Sequence, residues 1–226
     1  MEKILVIAAH PDDEILGCGG TIAKEIMFNN SEVNIILLSK GIRSRKENKN
    51  LDNLVKKNIL SAKKASKYLG VRSIDIFDLP DNEFDKVTLL EIVKIIEKKI
   101  KTFLPAVIYT HSSIDLNLDH QLINKATLIA CRPFPNFSVK KIYAFEVISS
   151  SEWNFSNSNS AFQPNVFQDI TKTINKKVNA LKFYKNEMRK YPHARSFENV
   201  INLAKFRGAS VGFKYAEAFT LLREIS

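Results

Sequence analysis

Short apolar runs alternate with amphipathic stretches through the first two-thirds of the chain. Residues 4–9 read ILVIAA, a continuous apolar run of the kind a strand buried on both faces requires. Residues 12–29 predict a turn and then a helix, and residues 33–38 a second strand. Residues 51–69 form a basic amphipathic pattern closed by Gly70, which predicts a helix ending in a glycine cap. A third strand is predicted over 74–79, followed by the turn Pro80-Asp81-Asn82, and residues 87–102 carry apolar side chains at helical spacing. PAVIYT (105–110) opens a fourth strand, 119–131 a helix that stops before Pro133, and 141–148 a fifth strand. Strands separated by helices imply parallel βαβ units with right-handed crossovers, hence an α/β sheet with helices on both faces.

The last third reads differently. Residues 149–165 are rich in Ser and Asn and predict a long surface loop; 169–191 and 197–207 predict helices. With no internal repeat, the expectation is one domain over 1–226, its segment from about 150 onward capping the sheet.

Composition changes the picture only at its edges. A hydrophobic share of 45% argues against a disordered chain. The formal net charge of +10 could favour nucleic acid, an anionic membrane or a phosphorylated substrate, but the basic residues are spread along the chain. Arg43, Arg45, Lys46 and Lys49 fall in a polar connection, and Lys56-Lys57 and Lys63-Lys64 in a helical stretch. No zinc finger, basic zipper or aromatic platform for single strands is evident, so no nucleic-acid partner is expected. No apolar run approaches the roughly 20 residues that span a bilayer, and no signal peptide is evident, which leads to the expectation of a cytoplasmic protein without an integral membrane segment. Two cysteines, Cys18 and Cys131, are too few for a disulfide framework and fit buried residues in a reducing compartment. A homo-oligomer is left open.

The chemistry gathers at predicted strand ends. Ligands of an open parallel sheet bind beyond the carboxyl ends of its strands. His10 follows the first strand and His111 ends the fourth; Asp115, Asn117, Asp119 and His120 occupy the loop and helix start beyond. Pro11 restricts the backbone between His10 and Asp13, aiming an imidazole and a carboxylate at one point. With His120 this makes two imidazoles and one carboxylate, a set that leaves an open position on zinc. Asp12 points away from its neighbour Asp13 and can take a proton from the attacking water. Taken singly, a histidine at a strand end is more often structural, and an Asp-Asp pair before a helix is more often a cap. The chain has four histidines, however, and three of them fall at these ends beside carboxylates, which favours the metal reading. Gly17-Cys18-Gly19-Gly20 is not a dinucleotide fingerprint and reads as close packing of helix on sheet.

AAHPDDEILGCGG (8–20) and THSSIDLNLDH (110–120) resemble the PIG-L/LmbE-like deacetylase family, with support from LPDNEFD, CRPFP, SSSEW, YPHARS, RGASVG and YAEAF along nearly the whole chain. The resemblance implies a Rossmann-like three-layer fold, a mostly parallel sheet and hydrolysis of an N-acetylated sugar or nucleotide-linked sugar. It makes His10, Asp13 and His120 the ligands of one Zn2+ per chain, with other divalent metals open, and Asp12 the general base. Many members carry histidine where Asn117 stands, which leaves the second electrophilic group open. Asp119 and His111 are expected to support the ligands; His193 is a candidate acid or oxyanion donor; Arg132 and Arg195 are candidates for holding phosphate or sugar hydroxyls. Two other classes compete: a non-haem Fe(II) oxygenase, which shares the two-His, one-carboxylate set, and a non-catalytic sugar-binding relative.

Overall fold

In the computed structural model, which describes residues 1–42, 50–135, 137–155 and 161–226, the first apolar run forms β1 (Lys3–Ala8). Its side chains alternate between two cores, as a strand covered on both faces demands. Ile4, Val6 and Ala8 enter one cluster, and Leu5 and Ile7 the other. The chain continues through α1 (Asp13–Phe28), β2 (Glu32–Ser39), α2 (Leu51–Leu69), β3 (Ser73–Leu79), α3 (Leu89–Phe103), β4 (Val107–His111), α4 (Leu118–Ala130) and β5 (Lys141–Phe145). Gly70 caps α2 at φ +86°, a conformation that suits glycine, as its place in the sequence predicts. Thr88 opens α3 with a reciprocal capping box to Glu91.

The sheet has the order β3-β2-β1-β4-β5, followed by two further strands, β7 (Ala216–Glu224) and then β6 (Val166–Asp169) at the edge. β1 to β5 are parallel, and β7 runs antiparallel to both β5 and β6. This is the α/β, Rossmann-like layered fold expected, with a mostly parallel sheet. The core holding Ile4 and Val6 also includes α1 and α2 side chains together with Leu181 and Tyr184. The other includes Ile92, Ile96 and Ile100 of α3 and Ile123 and Ala126 of α4.

The C-terminal third departs from the pattern in detail. Helix α5 (Ile174–Leu181) packs against α1 and α2, and α6 (Phe197–Ala209) against the strands β6 and β7; α5 is far shorter than the predicted 169–191. The stretch ahead of it is the edge strand β6 and a turn in which Thr171 N–H donates to Asp169 Oδ1. β7 is a strand despite the helix-favouring composition AEAFTLLRE, because lying between β5 and β6 satisfies its backbone on both sides. The predicted loop 149–165 is not wholly superficial, since Ser150 and Ser151 are buried. The basic connection at Arg43, Arg45, Lys46 and Lys49 lies outside the described residues. Among the described residues, no helix is long and apolar enough to cross a membrane.

The glycine motif of α1 is a packing device. A Cβ on Gly17 would lie 2.3 Å from the Phe145 ring, and one on Gly20 would lie 2.9 Å from Ile170. The helix therefore presses against β5 and the β6 turn at a separation that side chains would prevent.

Candidate active site

β1 lies where the strand order reverses, between β2 and β4, so the crevice beyond its carboxyl end is the natural ligand position of this sheet. The turn leaving it is tightly specified. Asp12 sits at φ 111°, ψ −29°, a sparsely populated region for a residue with a side chain, at a cost of order 1–3 kcal/mol. Its carbonyl accepts the first N–H groups of α1, from Ile15 and Leu16, and its own N–H donates to Glu14 Oε2 at 3.0 Å. The Tyr184 hydroxyl holds the other Glu14 oxygen, Oε1. His10 N–H donates to Asp13 Oδ2 at 2.9 Å, which ties both ends of the turn together.

Three side chains converge there. His10 Nδ1 stands 3.3 Å from Asp13 Oδ2, and His120 Nε2 stands 3.2 Å from the same oxygen. Ligand atoms of His10, Asp13 and His120 all lie within 4.8 Å of one another. Each imidazole turns its second nitrogen to another buried carboxylate: His10 Nε2 is 3.0 Å from Asp119 Oδ2, and His120 Nδ1 is 3.1 Å from Asp115 Oδ1. Carboxylates behind histidines in this way fix ring orientation and tautomer in metal centres. Asp13 Oδ1 and both ring nitrogens of His120 are buried without a completed hydrogen bond. Buried polar atoms are rarely left so; a divalent cation held between Asp13 and His120 Nε2 would satisfy the carboxylate and that nitrogen, while His120 Nδ1 faces Asp115. The donor set therefore fits a metal ion.

The charges agree. Burial alone would depress the His10 imidazolium, but hydrogen bonds to Asp119 and Asp13 and the charges of Asp13 and Asp81 outweigh it and raise the group to about 10. His120 is likewise disfavoured by burial yet lifted to about 9 by the Asp13 charge and by contacts with Asp115 and Asp13. Burial opposes ionisation of Asp13, and the three neighbouring histidines overcome it, holding the carboxyl well below its usual range. Asp12 is the opposite case. Burial pushes it well above the usual carboxylate range; Arg195 pulls it down, and Asp13, Glu187 and Glu14 push it up again.

The other predicted residues separate into groups. His111 is fully buried and stacks on His120 with ring centroids 3.8 Å apart. Its Nε2 accepts the Ala9 N–H at 2.9 Å, so that nitrogen is committed to the backbone. Asp119 gathers the loop beyond β3: Oδ2 accepts from Asn82 N–H at 2.8 Å and Oδ1 from Phe84 N–H at 3.0 Å. Asn117 caps α4, accepting from Asp119 N–H at 2.8 Å and donating from Nδ2 to Asn82 Oδ1 at 2.9 Å. Arg195 reaches the site from the C-terminal segment and touches Asp12 itself, with Nη1 2.8 Å from Asp12 Oδ2 and 3.6 Å from Glu187 Oε2. Exposed His193 accepts the Arg195 N–H on Nδ1 at 3.0 Å and faces the cavity. Arg132 is not brought to the site in this chain. It follows the far end of α4, about 18 Å along the helix from His120, and its Nε donates to Ile129 O at 3.1 Å.

His10, Asp12, Asn117, His120, His193 and Arg195 line an open cavity of about 320 Å³, near the lower bound for small-molecule sites. Trp153, Glu187, Arg189 and Asn82 also line it and were not singled out by the sequence. Two motifs touch this group: LPDNEFD holds Asn82 in a predicted turn, and SSSEW holds Trp153 in a stretch whose composition reads as loop.

A doubly wound α/β protein with a candidate two-histidine, one-carboxylate metal site at its switch point is the class these features define. The sequence matches the PIG-L family, described as GlcNAc-PI de-N-acetylase, over residues 5–131, and the chain belongs to that deacetylase family. It is 26% identical over 189 residues to the uncharacterized deacetylase YaiS of Escherichia coli K12, covering 81% of this chain and 90% of that protein. The fold is shared with N,N'-diacetylchitobiose deacetylase of Pyrococcus horikoshii, at TM-score 0.79 and 20% identity, over 98% of this chain and 84% of the other. It is shared equally with GalB, the 4-carboxy-2-hydroxymuconate hydratase of Pseudomonas putida KT2440, at TM-score 0.78 and 22% identity, over 100% of this chain and 98% of the other. Fold alone therefore does not name the reaction.

Proposed function

We propose that this chain is a zinc-dependent N-deacetylase of the cytoplasm that hydrolyses the acetamide of an N-acetylated amino sugar or sugar conjugate. The observation that carries the reading is the convergence of His10, Asp13 and His120 beside a separate buried carboxylate, Asp12, on the floor of an open cavity.

His10, Asp13 and His120 would hold the ion, with Asp119 and Asp115 orienting the two imidazoles from behind. When bound, zinc would act as a Lewis acid and make the attacking water more acidic. Asp12 accepts that water's proton as the oxygen adds to the acetamide carbon. Burial raises its affinity for the proton, and the Arg195 guanidinium 2.8 Å away opposes that rise by favouring the charged carboxylate. The C–N bond then breaks, and the proton on Asp12 passes to the departing amine, leaving acetate and a free amino sugar. Arg195 thus acts on Asp12 in this reading and does not serve as a phosphate anchor. Asn117 and His193, which also line the cavity, are candidates to meet the acyl oxygen or ring hydroxyls.

The test is release of acetate from a panel of N-acetylated sugars and their nucleotide-linked forms. Asp12→Ala should retain the metal and lose about 10²–10⁴-fold in turnover, whereas His120→Ala should lose the metal. Unchanged turnover in the first variant removes the base, and full metal occupancy in the second removes the ligand assignment. Zinc content with oxygen-independent turnover excludes the Fe(II) oxygenase, and any acetate release excludes a purely sugar-binding relative. Hydration of 4-carboxy-2-hydroxymuconate without acetate release would replace the deacetylase reading with a hydratase.

A further inference from the structure

Residues 149–153, which read as loop in the sequence, touch both halves of the site. Ser149 Oγ accepts from Arg195 Nε at 2.6 Å, and Arg195 Nη1 holds Asp12 at 2.8 Å. Ser150 Oγ donates to Asp115 Oδ1, and Ser151 Oγ donates to Asp115 Oδ2 at 2.6 Å; Asp115 in turn faces His120. Ser151 Oγ also accepts the Val147 N–H at 2.8 Å, rooting the turn just past β5. Glu152 folds back to accept the N–H groups of Ser149 and Ser150 at 2.6 and 3.2 Å. The short 3-10 turn Ser151–Trp153 then delivers an indole into the cavity wall. Trp153 stays 42% exposed there, edge-on to His193 with centroids 6.3 Å apart and an interplanar angle of 73°.

A large flat ring left open in a cavity otherwise lined mainly by polar side chains is an unfilled apolar surface beside hydrogen-bonding groups. A pyranose has the matching division, with an apolar C–H face and a rim of hydroxyls. Asn82, Asn117, Arg189 and His193 supply the polar side of the same cavity, whose volume of about 320 Å³ suits one sugar ring.

We propose that Trp153 is the platform on which the pyranose ring of the substrate lies, and that the serine turn fixes this platform in register with Asp12 and His120. This rests on the deacetylase reading for the identity of the substrate, and it adds the residue that recognises the ring. The register follows from the bonds: the peptide that carries the indole is hydrogen-bonded to Arg195, the partner of Asp12, and to Asp115, which backs His120. A sugar lying on the indole is therefore held at a set distance from the proton acceptor.

Trp153 is the sole tryptophan of the chain, so its emission reports on this position alone. Titrating the metal-loaded protein with N-acetylglucosamine should change the indole emission saturably. Acetamide, which has the reacting amide without the ring, should not. For whichever N-acetylated sugar yields acetate, Trp153→Ala should raise KM about tenfold or more while kcat stays within about threefold, with unchanged metal content. Trp153→Phe keeps a flat ring and should restore most of the affinity. An unchanged KM in Trp153→Ala overturns the platform and leaves the deacetylase intact. Equal loss of metal and melting temperature in both variants also overturns it, by showing that the indole only supports the turn. If no N-acetylated sugar yields acetate, the deacetylase reading fails on its own, and the emission titration still decides whether the indole meets a sugar; an emission that does not respond then overturns the platform as well.

Discussion

Replacing Asp119 with alanine tests the link between the support of the site and its chemistry, because this carboxylate serves both. It is buried and bonds three groups: the His10 ring at 3.0 Å, the Asn82 N–H at 2.8 Å and the Phe84 N–H at 3.0 Å. The groups left behind are not equal. Phe84 is fully buried, so its N–H would have no water and would carry the full cost of an orphaned donor, about 1–3 kcal/mol. Asn82 is exposed, so its N–H can turn to solvent for a loss of roughly 0.5–1 kcal/mol. Adding the loss at the His10 ring gives about 2–4 kcal/mol, which for a chain of this size is a fall in melting temperature of roughly 5–15 °C. The same change frees the His10 ring to rotate, and loss of such a backing carboxylate lowers metal affinity about 10–100-fold. Denaturant melts give the first number, and competition against a chelator of known zinc affinity gives the second. Asp119→Asn should fall between wild type and alanine on both. A variant that melts within about 1 kcal/mol of wild type and binds zinc unchanged would refute the reasoning.

Three further outcomes follow from the packing. Gly17→Ala forces a methyl group to 2.3 Å from the Phe145 ring and should destabilise by about 1–3 kcal/mol in a denaturant melt; a neutral result would mean that α1 can lift off β5 freely. Glu217 accepts the N–H groups of Gly20 and Thr21 at 2.9 and 2.6 Å and holds buried Lys177 at 2.6 Å, so Glu217→Ala should cost about 3–5 kcal/mol by stranding that ammonium. Lys177→Met with Glu217→Gln should recover part of the loss, which a double-mutant cycle measures. Burial pushes the Cys131 thiol up to about 12 and the Cys18 thiol well above its ordinary value, so neither should react with an aromatic disulfide reagent at pH 8 until the protein is unfolded. Rapid modification of the native protein would contradict the packing around them.

Much of the site was legible because the signals were local or tied to strand ends. His10 and Asp13 share one four-residue turn, and His111 and His120 fall at a strand end and the helix start that follows, so the parallel-sheet rule brought them to one crevice before any contact was known. The glycine run was legible for a similar reason, since consecutive small residues on a helix allow close approach to a sheet. Arg195 was noticed, but its role was not, because nothing in YPHARS says that the guanidinium reaches a carboxylate 183 residues earlier. Arg132 looked equivalent by composition and faces elsewhere, which only the direction of α4 decides. Trp153 and the buried serines were missed because a Ser- and Asn-rich stretch has loop propensity whether or not its hydroxyls find partners.

The amino-acid order by itself determined the alternation of β1 through β5 with their helices, the glycine stop of α2 and the identity of the acid and imidazole groups that meet beyond β1. These are set by short-range physics: the period of apolar positions, the conformational freedom of glycine and the restriction imposed by proline. The tertiary structure alone decided that AEAFTLLRE is a strand, since its backbone is satisfied by β5 on one side and β6 on the other against its own helix propensity. It also decided which arginine holds Asp12 and which serines hold Asp115. Those pairings depend on where distant segments cross, and no local pattern records that.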